Sequence, residues 1–253
     1  MSRIVFMVFY LWLIAGTSFA GEITVSAAAS LKDAFLELQE VFERENTGIR
    51  IYYNFASSGL LSKQIEMKAP VDVFASADVK HMETLVDKRL VNRNSVNVFA
   101  NNTMVLIVPG NGVRKITGWD DLIKAQKISI GNPGHAPVGI YAKEVLCKLG
   151  LWNKIESKLV YGNQVRQVLE YVAQGMVDAG IVYKTDVPIA KKRIKAIAQA
   201  SSQVSPLIAY TVGLVSFSKN KNEAERFKGF LLGKEGKAIL KKYGFEHAKN
   251  TTQ

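Results

Sequence analysis

Cysteine and histidine are scarce in this sequence, whose 253 residues include one cysteine, Cys147, and three histidines. A single cysteine excludes an intramolecular disulfide. Metal sites usually take three or four ligands, and no second histidine or cysteine stands at ligand spacing from His135. Cys147 lies within a helical pattern with no histidine close in sequence, so we expect an inert, half-buried thiol rather than a nucleophile. The sequence therefore argues against metal chemistry and thiol catalysis.

Long hydrophobic runs are also missing, apart from residues 4–14 near the N-terminus. This run is shorter than the roughly 20 apolar residues that a membrane-spanning helix needs. Arg3 precedes it, and Ser18 and Ala20 place small residues where a signal peptidase would cleave. We therefore predict an export signal over residues 1–20, cleaved after Ala20, and a mature protein in the periplasm. No cysteine follows the cleavage site, so we expect no lipid anchor.

Acidic residues are fewer than basic ones. The sequence has 22 aspartates and glutamates but 33 lysines and arginines, which gives a formal net charge of +11. Such a charge can steer an anionic ligand toward the protein, or simply aid its solubility. A nucleic-acid-binding protein would need a basic face with stacking aromatic residues or a recognisable module, and the sequence has neither. We expect no nucleic-acid partner. The 48% of hydrophobic residues is typical of a globular protein with a sizeable core.

What the sequence does contain is a repeated order of strand, turn and helix. Residues 24–35 combine a β-branched run, small residues and an amphipathic helical pattern, with Ser30 predicted as the helix N-cap. Residues 50–66 repeat this order, with Ser57 or Ser58 at the turn. In a parallel sheet such turns meet at the carboxyl ends of the strands, where ligands bind. Because helix starts favour anions, these serines either form an oxyanion pocket or are ordinary caps facing solvent.

The middle of the chain continues the alternation. Residues 103–109 form an apolar run that ends at a proline, which predicts a buried strand. Residues 128–145 combine a strand, a loop rich in glycine and proline, and a helix entered near Val138. A further turn leads into a helix at Val165, and the strand after it ends at Tyr183. That tyrosine could be a packed core residue or a hydroxyl donor.

Six short motifs, taken together, carry a family resemblance. In chain order they are AAASL at 27–31, FASS at 55–58, APVDVFASAD at 69–78, GNPGHAPVGIYAKE at 131–144, GIVY at 180–183 and KYGF at 242–245. They span nearly the whole mature chain, and the proline-histidine loop is the most specific of them. In this order they resemble the periplasmic molybdate-binding protein of an ABC importer.

The resemblance implies an α/β fold, the type II periplasmic-binding-protein fold. Two domains, each a mixed sheet flanked by helices, would hold the ligand in the interdomain cleft. Residues 1–20 would be the signal peptide, residues 21–101 together with 212–253 the first domain, and residues 102–211 the second. Capture would then proceed by closure about the two crossings between the domains.

Five residues match the family's ligand positions. Ser30 and Ser58 match two serine hydroxyls, Val138 and Val165 match main-chain N–H donors, and Tyr183 matches a hydroxyl donor. The resemblance thus implies a receptor, not an enzyme, that captures molybdate, and tungstate as a co-ligand of nearly the same size, without a cofactor. It also implies a monomer that delivers the anion to the membrane permease of an ABC importer.

The matched residues suit the chemistry of molybdate, which is a dianion at neutral pH and needs donors but no acceptor. A phosphate receptor should also carry a buried carboxylate that accepts the proton of monohydrogen phosphate, and the sequence offers none beside the serines. Sulfate has the same charge and shape but is smaller, so pocket size has to separate the two. Two alternatives stay open: a receptor for another tetrahedral oxyanion such as sulfate, and an enzyme on the same fold.

Overall fold

The computed structural model describes residues 21–111 and 116–248. The expected export signal, residues 1–20, lies outside these residues. The described chain is an α/β protein whose strands form two separate sheets. The strands are β1 (Gly21–Ala28), β2 (Ile49–Ala56), β3 (Val73–Ser76), β4 (Asn97–Asn102), β5 (Met104–Pro109), β6 (Ile128–Gly131), β7 (Leu159–Gly162), β8 (Ala179–Tyr183), β9 (Ile194–Gln199), β10 (Ile208–Leu214) and β11 (Glu246–His247).

Helices connect most of these strands, and several short 3₁₀ turns lie between them. Among the described residues, none of the helices combines the length and the apolar character that crossing a membrane would require. The α-helices are α1 (Lys32–Glu45), α2 (Ser58–Glu66), α3 (Lys80–Asp87), α4 (Pro137–Lys148), α5 (Trp152–Ile155), α6 (Val165–Ala173), α7 (Val187–Ala190), α8 (Lys221–Leu232) and α9 (Lys234–Lys242).

The first sheet has six strands in the order β11-β4-β10-β3-β1-β2. Strand β1 pairs in parallel with both β2 and β3. Strand β10, which returns late in the chain, pairs antiparallel with β3 and β4. The sheet is therefore mixed, as expected, and its parallel part brings the turns after β1 and β2 to one edge.

The second sheet has five strands in the order β7-β6-β8-β5-β9 and is also mixed. The chain crosses into it between β4 and β5, at Thr103, and returns through residues 200–207. The expected domain boundary between residues 211 and 212 falls inside β10, all of which belongs to the first sheet. We therefore place the return of the chain at Ile208, and the division into domains stays a prediction.

Packing of α1 illustrates how the sequence pattern becomes a core. Phe35, Leu38 and Phe42 recur at three- and four-residue steps, and each is at most 1% exposed. The ring of Phe42 meets Phe227 of α8 edge-to-face, with centroids 5.6 Å apart. Burying each such side chain contributes about 1.5–3 kcal/mol. The helix is thereby held against the first sheet, which fixes the position of the turn before it.

Two local predictions were wrong. Ser30 is not the N-cap of α1, because a 3₁₀ turn at Ala29–Leu31 runs directly into the helix and Leu31 takes the cap position. Cys147 is exposed rather than half-buried, because it lies on the outer side of α4. The first difference matters for function, since it frees the Ser30 hydroxyl for another partner.

Candidate oxyanion-binding site

Four strand-to-helix turns face each other between the two sheets. Strands β1 and β2 are parallel, as are β6 and β7, so the turn after each of them lies at the carboxyl edge of its sheet. Each turn leads into a helical segment, namely the 3₁₀ turn before α1, and helices α2, α4 and α6. Helix starts present N–H groups that have no acceptor within the helix, so the four turns together favour an anion.

A small cavity lies where these turns meet. Its volume is about 20 Å³, measured as the space open to the centre of a water molecule. A water molecule has some freedom of position in this space, whereas a sugar or a peptide would not fit, so the cavity suits one compact ion. All five residues expected from the sequence line it together. The lining residues are Ala28, Ala29, Ser30, Ala56, Ser57, Ser58, Ala77, Ala136, Pro137, Val138, Gln164, Val165 and Tyr183.

Each of the two serine hydroxyls has a hydrogen-bond neighbour within the protein. Ser58 is fully buried at the start of α2, and its Oγ accepts a hydrogen bond from the main-chain N–H of Ala77 at 2.9 Å. Its own proton is therefore free to be donated elsewhere. Ser30 is 5% exposed, and its Oγ lies 2.9 Å from the hydroxyl oxygen of Tyr210. Ser58 can thus donate to an anion in the cavity, and Ser30 can do so when its Oγ accepts from Tyr210.

Two main-chain donors come from the opposite sheet. Val138 is the second residue of α4, after Pro137, and Val165 is the first residue of α6. N–H groups at these positions have no acceptor within their own helix. The side chains of both valines are buried, which holds the two helix starts in place. The fixed φ of Pro137 restricts the first of these turns before any ligand arrives.

Tyr183 supplies a third hydroxyl. It is the last residue of β8 and is 1% exposed. Among the described residues its hydroxyl oxygen has no hydrogen-bond partner, although it is buried. Burial raises the pKa of Tyr183 well above its ordinary value, and nearby Tyr210 and Tyr141 reinforce the shift. The phenol therefore keeps its proton at neutral pH and is available as a donor.

The cavity lining carries no formal charge, since it contains no lysine, arginine, aspartate or glutamate. Asp186, three residues beyond Tyr183, is fully buried but is not part of the lining. Burial raises the pKa of Asp186 to about 7, and the nearby Arg166 guanidinium opposes that rise. The site thus offers neutral donors without a carboxylate to repel an anion.

Comparison with known proteins identifies the family of this chain. The family model described as bacterial extracellular solute-binding protein matches residues 23–246. The chain belongs to this family. A Bacillus subtilis (strain 168) protein, YvgL, named as an ABC transporter substrate-binding lipoprotein, is 41% identical over 88% of this chain and 85% of its own length. The molybdate-binding protein ModA of Escherichia coli (strain K12) is 36% identical over 92% of both chains.

A solved structure gives the same picture of the fold. The periplasmic molybdate-binding protein of Azotobacter vinelandii superimposes with a TM-score of 0.81 at 25% identity, over 90% of this chain and 100% of the other. The expected fold, that of a two-sheet periplasmic binding protein with mixed sheets and flanking helices, is therefore confirmed. The family assignment also makes this chain a solute-binding receptor.

In this solute-binding protein, hydrogen bonds and an ion pair bridge the cleft between the two sheets. The main-chain N–H of Gly59, in α2, donates to the carbonyl oxygen of His135 at 3.0 Å. The Oγ of Ser57 lies 3.0 Å from Nδ1 of the same histidine. Near the cavity, Arg166 of α6 also donates to the carboxylate of Asp33 in α1 at 2.5 Å. Both sets of contacts join residues attached to different sheets.

The histidines beside the cavity do not form a catalytic arrangement. Nδ1 of His81 lies 2.7 Å from the Asp78 carboxylate, while His135 contacts Ser57. A nucleophile-base-carboxylate relay requires one histidine to contact both other groups, and here the two contacts belong to different histidines. Within the described residues, no group of three or more histidine, cysteine, aspartate or glutamate side chains is placed to bind a metal.

Sequence analysis missed three residues close to this site. Gln164, the N-cap of α6, lines the cavity, and its buried Oε1 has no partner among the described residues. Tyr210 contacts Ser30, and Asn102 contacts Tyr210. Tyr210 stands 180 positions from Ser30, so no local pattern could have joined them. Gln164 could have been noticed, because it immediately precedes a predicted helix start.

Proposed function

We propose that this protein is a periplasmic receptor that captures molybdate, and tungstate as a second ligand, and delivers the anion to the membrane permease of an ABC importer. The observation that carries the proposal is the small, uncharged cavity lined by hydroxyl and main-chain donors. The names of its relatives in Escherichia coli and Azotobacter vinelandii support the choice of anion. We further propose that the mature protein acts as a monomer, without a cofactor and without nucleic acid.

The proposed ligands are Ser30, Ser58, Val138, Val165 and Tyr183. All five line one cavity, and a fully deprotonated tetrahedral dianion accepts hydrogen bonds on every side. Hydrogen bonds to a charged group contribute about 1.5–3 kcal/mol each, so several of them can offset the desolvation of the anion. A contact with lysine or arginine is not required for this binding mode.

The predicted domains are residues 21–101 with 212–253, and residues 102–211. Because β10 belongs to the first sheet, we propose that residues 208–211 join the first domain. Each domain supplies part of the proposed ligand set, so an open form would bind the anion with only one part. Closure completes the set and creates the shape that the permease recognises. The cross-cleft contacts of His135 and Arg166 would stabilise that closed form.

A calorimetric titration of the mature protein, residues 21–253, tests the choice of anion. Molybdate, tungstate, sulfate and phosphate are titrated separately into the ligand-free protein. We expect tight binding of molybdate and tungstate, and weak binding of sulfate because its smaller radius leaves the donors too far apart. Phosphate should bind least, since the cavity lining offers no carboxylate for its proton. Equal binding of sulfate would instead identify a general oxyanion receptor, and no binding of any anion would refute the proposal.

A further inference from the structure

The hydrogen bond between Ser30 and Tyr210 can run in either direction. Their oxygens are 2.9 Å apart, and each hydroxyl has a single proton. If Ser30 donates to Tyr210, it has no proton left for an anion in the cavity. If Tyr210 donates to Ser30, the serine proton is free. The direction of this one bond therefore decides whether Ser30 can act as a ligand.

The hydrogen bonds of Asn102 determine the direction of the bond between Ser30 and Tyr210. Its Oδ1 accepts a hydrogen bond from the main-chain N–H of Thr103 at 2.9 Å, so its Nδ2 must point the opposite way. Nδ2 donates to Oγ1 of Thr185 at 2.8 Å and to the hydroxyl oxygen of Tyr210 at 3.3 Å. Because a main-chain N–H can only donate, the orientation of the amide is fixed.

We propose that Asn102 and Tyr210 are positioning residues that fix the Ser30 hydroxyl as a donor to the bound oxyanion. Asn102 donates to the hydroxyl oxygen of Tyr210. The Tyr210 hydroxyl then donates its own proton to Ser30, so the Ser30 proton is free for the anion. This inference rests on the proposed function, because it assigns a purpose to Ser30 as a ligand. Ser58 needs no such pair, since its Oγ accepts directly from the Ala77 N–H.

Burial stabilises the direction of these hydrogen bonds. Tyr210 is fully buried and Asn102 is 7% exposed, so water has little access to replace either partner. Burial also raises the pKa of Tyr210, which therefore remains a protonated donor at neutral pH. The ring of Tyr210 meets that of Tyr183 with centroids 5.9 Å apart. Tyr210 thus contacts one proposed ligand residue through its hydroxyl and another through its ring.

Both residues lie in strands of the first sheet, next to the segments that connect the two sheets. Asn102 is the last residue of β4, immediately before the crossing at Thr103, and Tyr210 lies in β10 just after the return crossing. Thr185, which accepts from Asn102, follows β8 of the second sheet. A change in the angle between the sheets would therefore alter the contacts of Asn102, and through Tyr210 the orientation of Ser30.

A double-mutant cycle with molybdate as the probe tests this proposal. Tyr210→Phe, Ser30→Ala and the double variant are prepared in the mature chain, and molybdate affinity is measured by calorimetry. We expect Ser30→Ala to weaken binding at least tenfold, as about 1.4 kcal/mol for a lost charged hydrogen bond corresponds to tenfold. Tyr210→Phe should weaken binding by about three- to tenfold, within the range of one hydrogen bond. The double variant should match Ser30→Ala within about twofold, because Tyr210 acts through Ser30.

The control for general damage is Tyr53→Phe. Tyr53 is a half-buried tyrosine, and its hydroxyl donates to the Phe35 carbonyl at 2.9 Å, away from the cavity. This variant should lower the melting temperature of the ligand-free protein and leave molybdate affinity unchanged. Tyr210→Phe could lower molybdate affinity by the same factor with and without Ser30, or leave it unchanged. In either case the tyrosine does not act through the serine, and the proposal is overturned.

Asn102→Asp provides a second measurement that does not depend on the stability of the tyrosine variant. The new carboxylate can still accept from the main-chain N–H of Thr103, but it has no proton to donate to Tyr210. The tyrosine hydroxyl is then expected to donate toward this carboxylate and no longer to Ser30. Molybdate binding should fall further than in Tyr210→Phe, and most of that extra loss should vanish in the Ser30→Ala background. An undiminished loss there would mean that the added charge alone is responsible, which contradicts the proposal. A wild-type protein that binds no oxyanion would instead refute the proposed function itself.

Discussion

Substitution of Gly139 by alanine tests how α4 is held against the end of β6. A Cβ on Gly139 would lie 2.0 Å from the carbonyl oxygen of Gly131 and 2.4 Å from its carbonyl carbon. Both obstacles are main-chain atoms at the end of β6, so no side-chain rotation can relieve the overlap. Ordinary van der Waals contact begins at 3.4 Å. The start of α4 must therefore retreat by more than about 1 Å from the strand, and it carries the Val138 N–H with it.

This displacement should be visible in ligand binding. Hydrogen bonds from N–H to oxygen span about 2.7–3.2 Å, so a shift of this size removes one donor from the anion. The loss of one charge-assisted bond is worth about 1.5–3 kcal/mol, which corresponds to roughly 10- to 150-fold in affinity. Calorimetry gives the molybdate affinity of Gly139→Ala. Differential scanning fluorimetry of the ligand-free protein shows how far the substitution lowers the melting temperature.

Gly229→Ala is the matched control. Gly229 lies in the exposed part of α8, and a Cβ there would meet no atom within 4 Å. Alanine is the better helix former by about 1 kcal/mol, so this variant should melt at a higher temperature and bind molybdate as the wild type does. If Gly139→Ala also keeps wild-type affinity, the contact between Gly139 and Gly131 does not position a ligand donor, and the argument for Val138 fails.

Three further outcomes follow from the contacts around the cavity. Tyr183→Phe should raise the melting temperature of the ligand-free protein, because it removes a buried hydroxyl without a partner, and should weaken molybdate binding by about tenfold or more. Burial and the nearby His81 lower the pKa of His135 below its usual 6.5, so this arrangement disfavours the protonated imidazole. Calorimetry should therefore show molybdate affinity decreasing as the pH falls below 6.5, and His135→Asn should lose that dependence. Asp33→Asn removes a partly exposed ion pair with Arg166, so affinity should fall by about two- to fivefold at low salt and by less at high salt.

Much of the fold could be predicted because its signals are local. Short patterns predict a helix start near Val138, another at Val165 and a strand end at Tyr183. The structure has all three. A parallel arrangement of successive strands then predicts that their turns share one edge. The family resemblance added what local patterns cannot provide, namely that turns from two different sheets face one another across a single cavity.

The rest depended on contacts between distant parts of the chain. The sequence favoured Ser30 as a helix cap because serine before a helical pattern usually bonds to the helix itself. A 3₁₀ turn displaces the helix start, and the serine hydroxyl instead contacts Tyr210 from a strand that returns late in the chain. Likewise, the contact of His135 with Ser57 joins two loops that no periodicity relates. Side-chain partners of this kind are decided by the packing of the sheets.

The division of donors between the two sheets explains how a neutral site could bind a dianion and still release it. Ser30 and Ser58 follow strands of the six-stranded sheet, whereas Val138, Val165 and Tyr183 belong to segments of the five-stranded sheet. A site built around a lysine or arginine would keep most of its attraction in either half after opening, because a charge acts over several ångströms. Hydrogen bonds are lost within about 1 Å of separation. In the proposed mechanism, opening the cleft would therefore remove one group of donors almost completely, and the exposed anion would regain water as its partner for transfer.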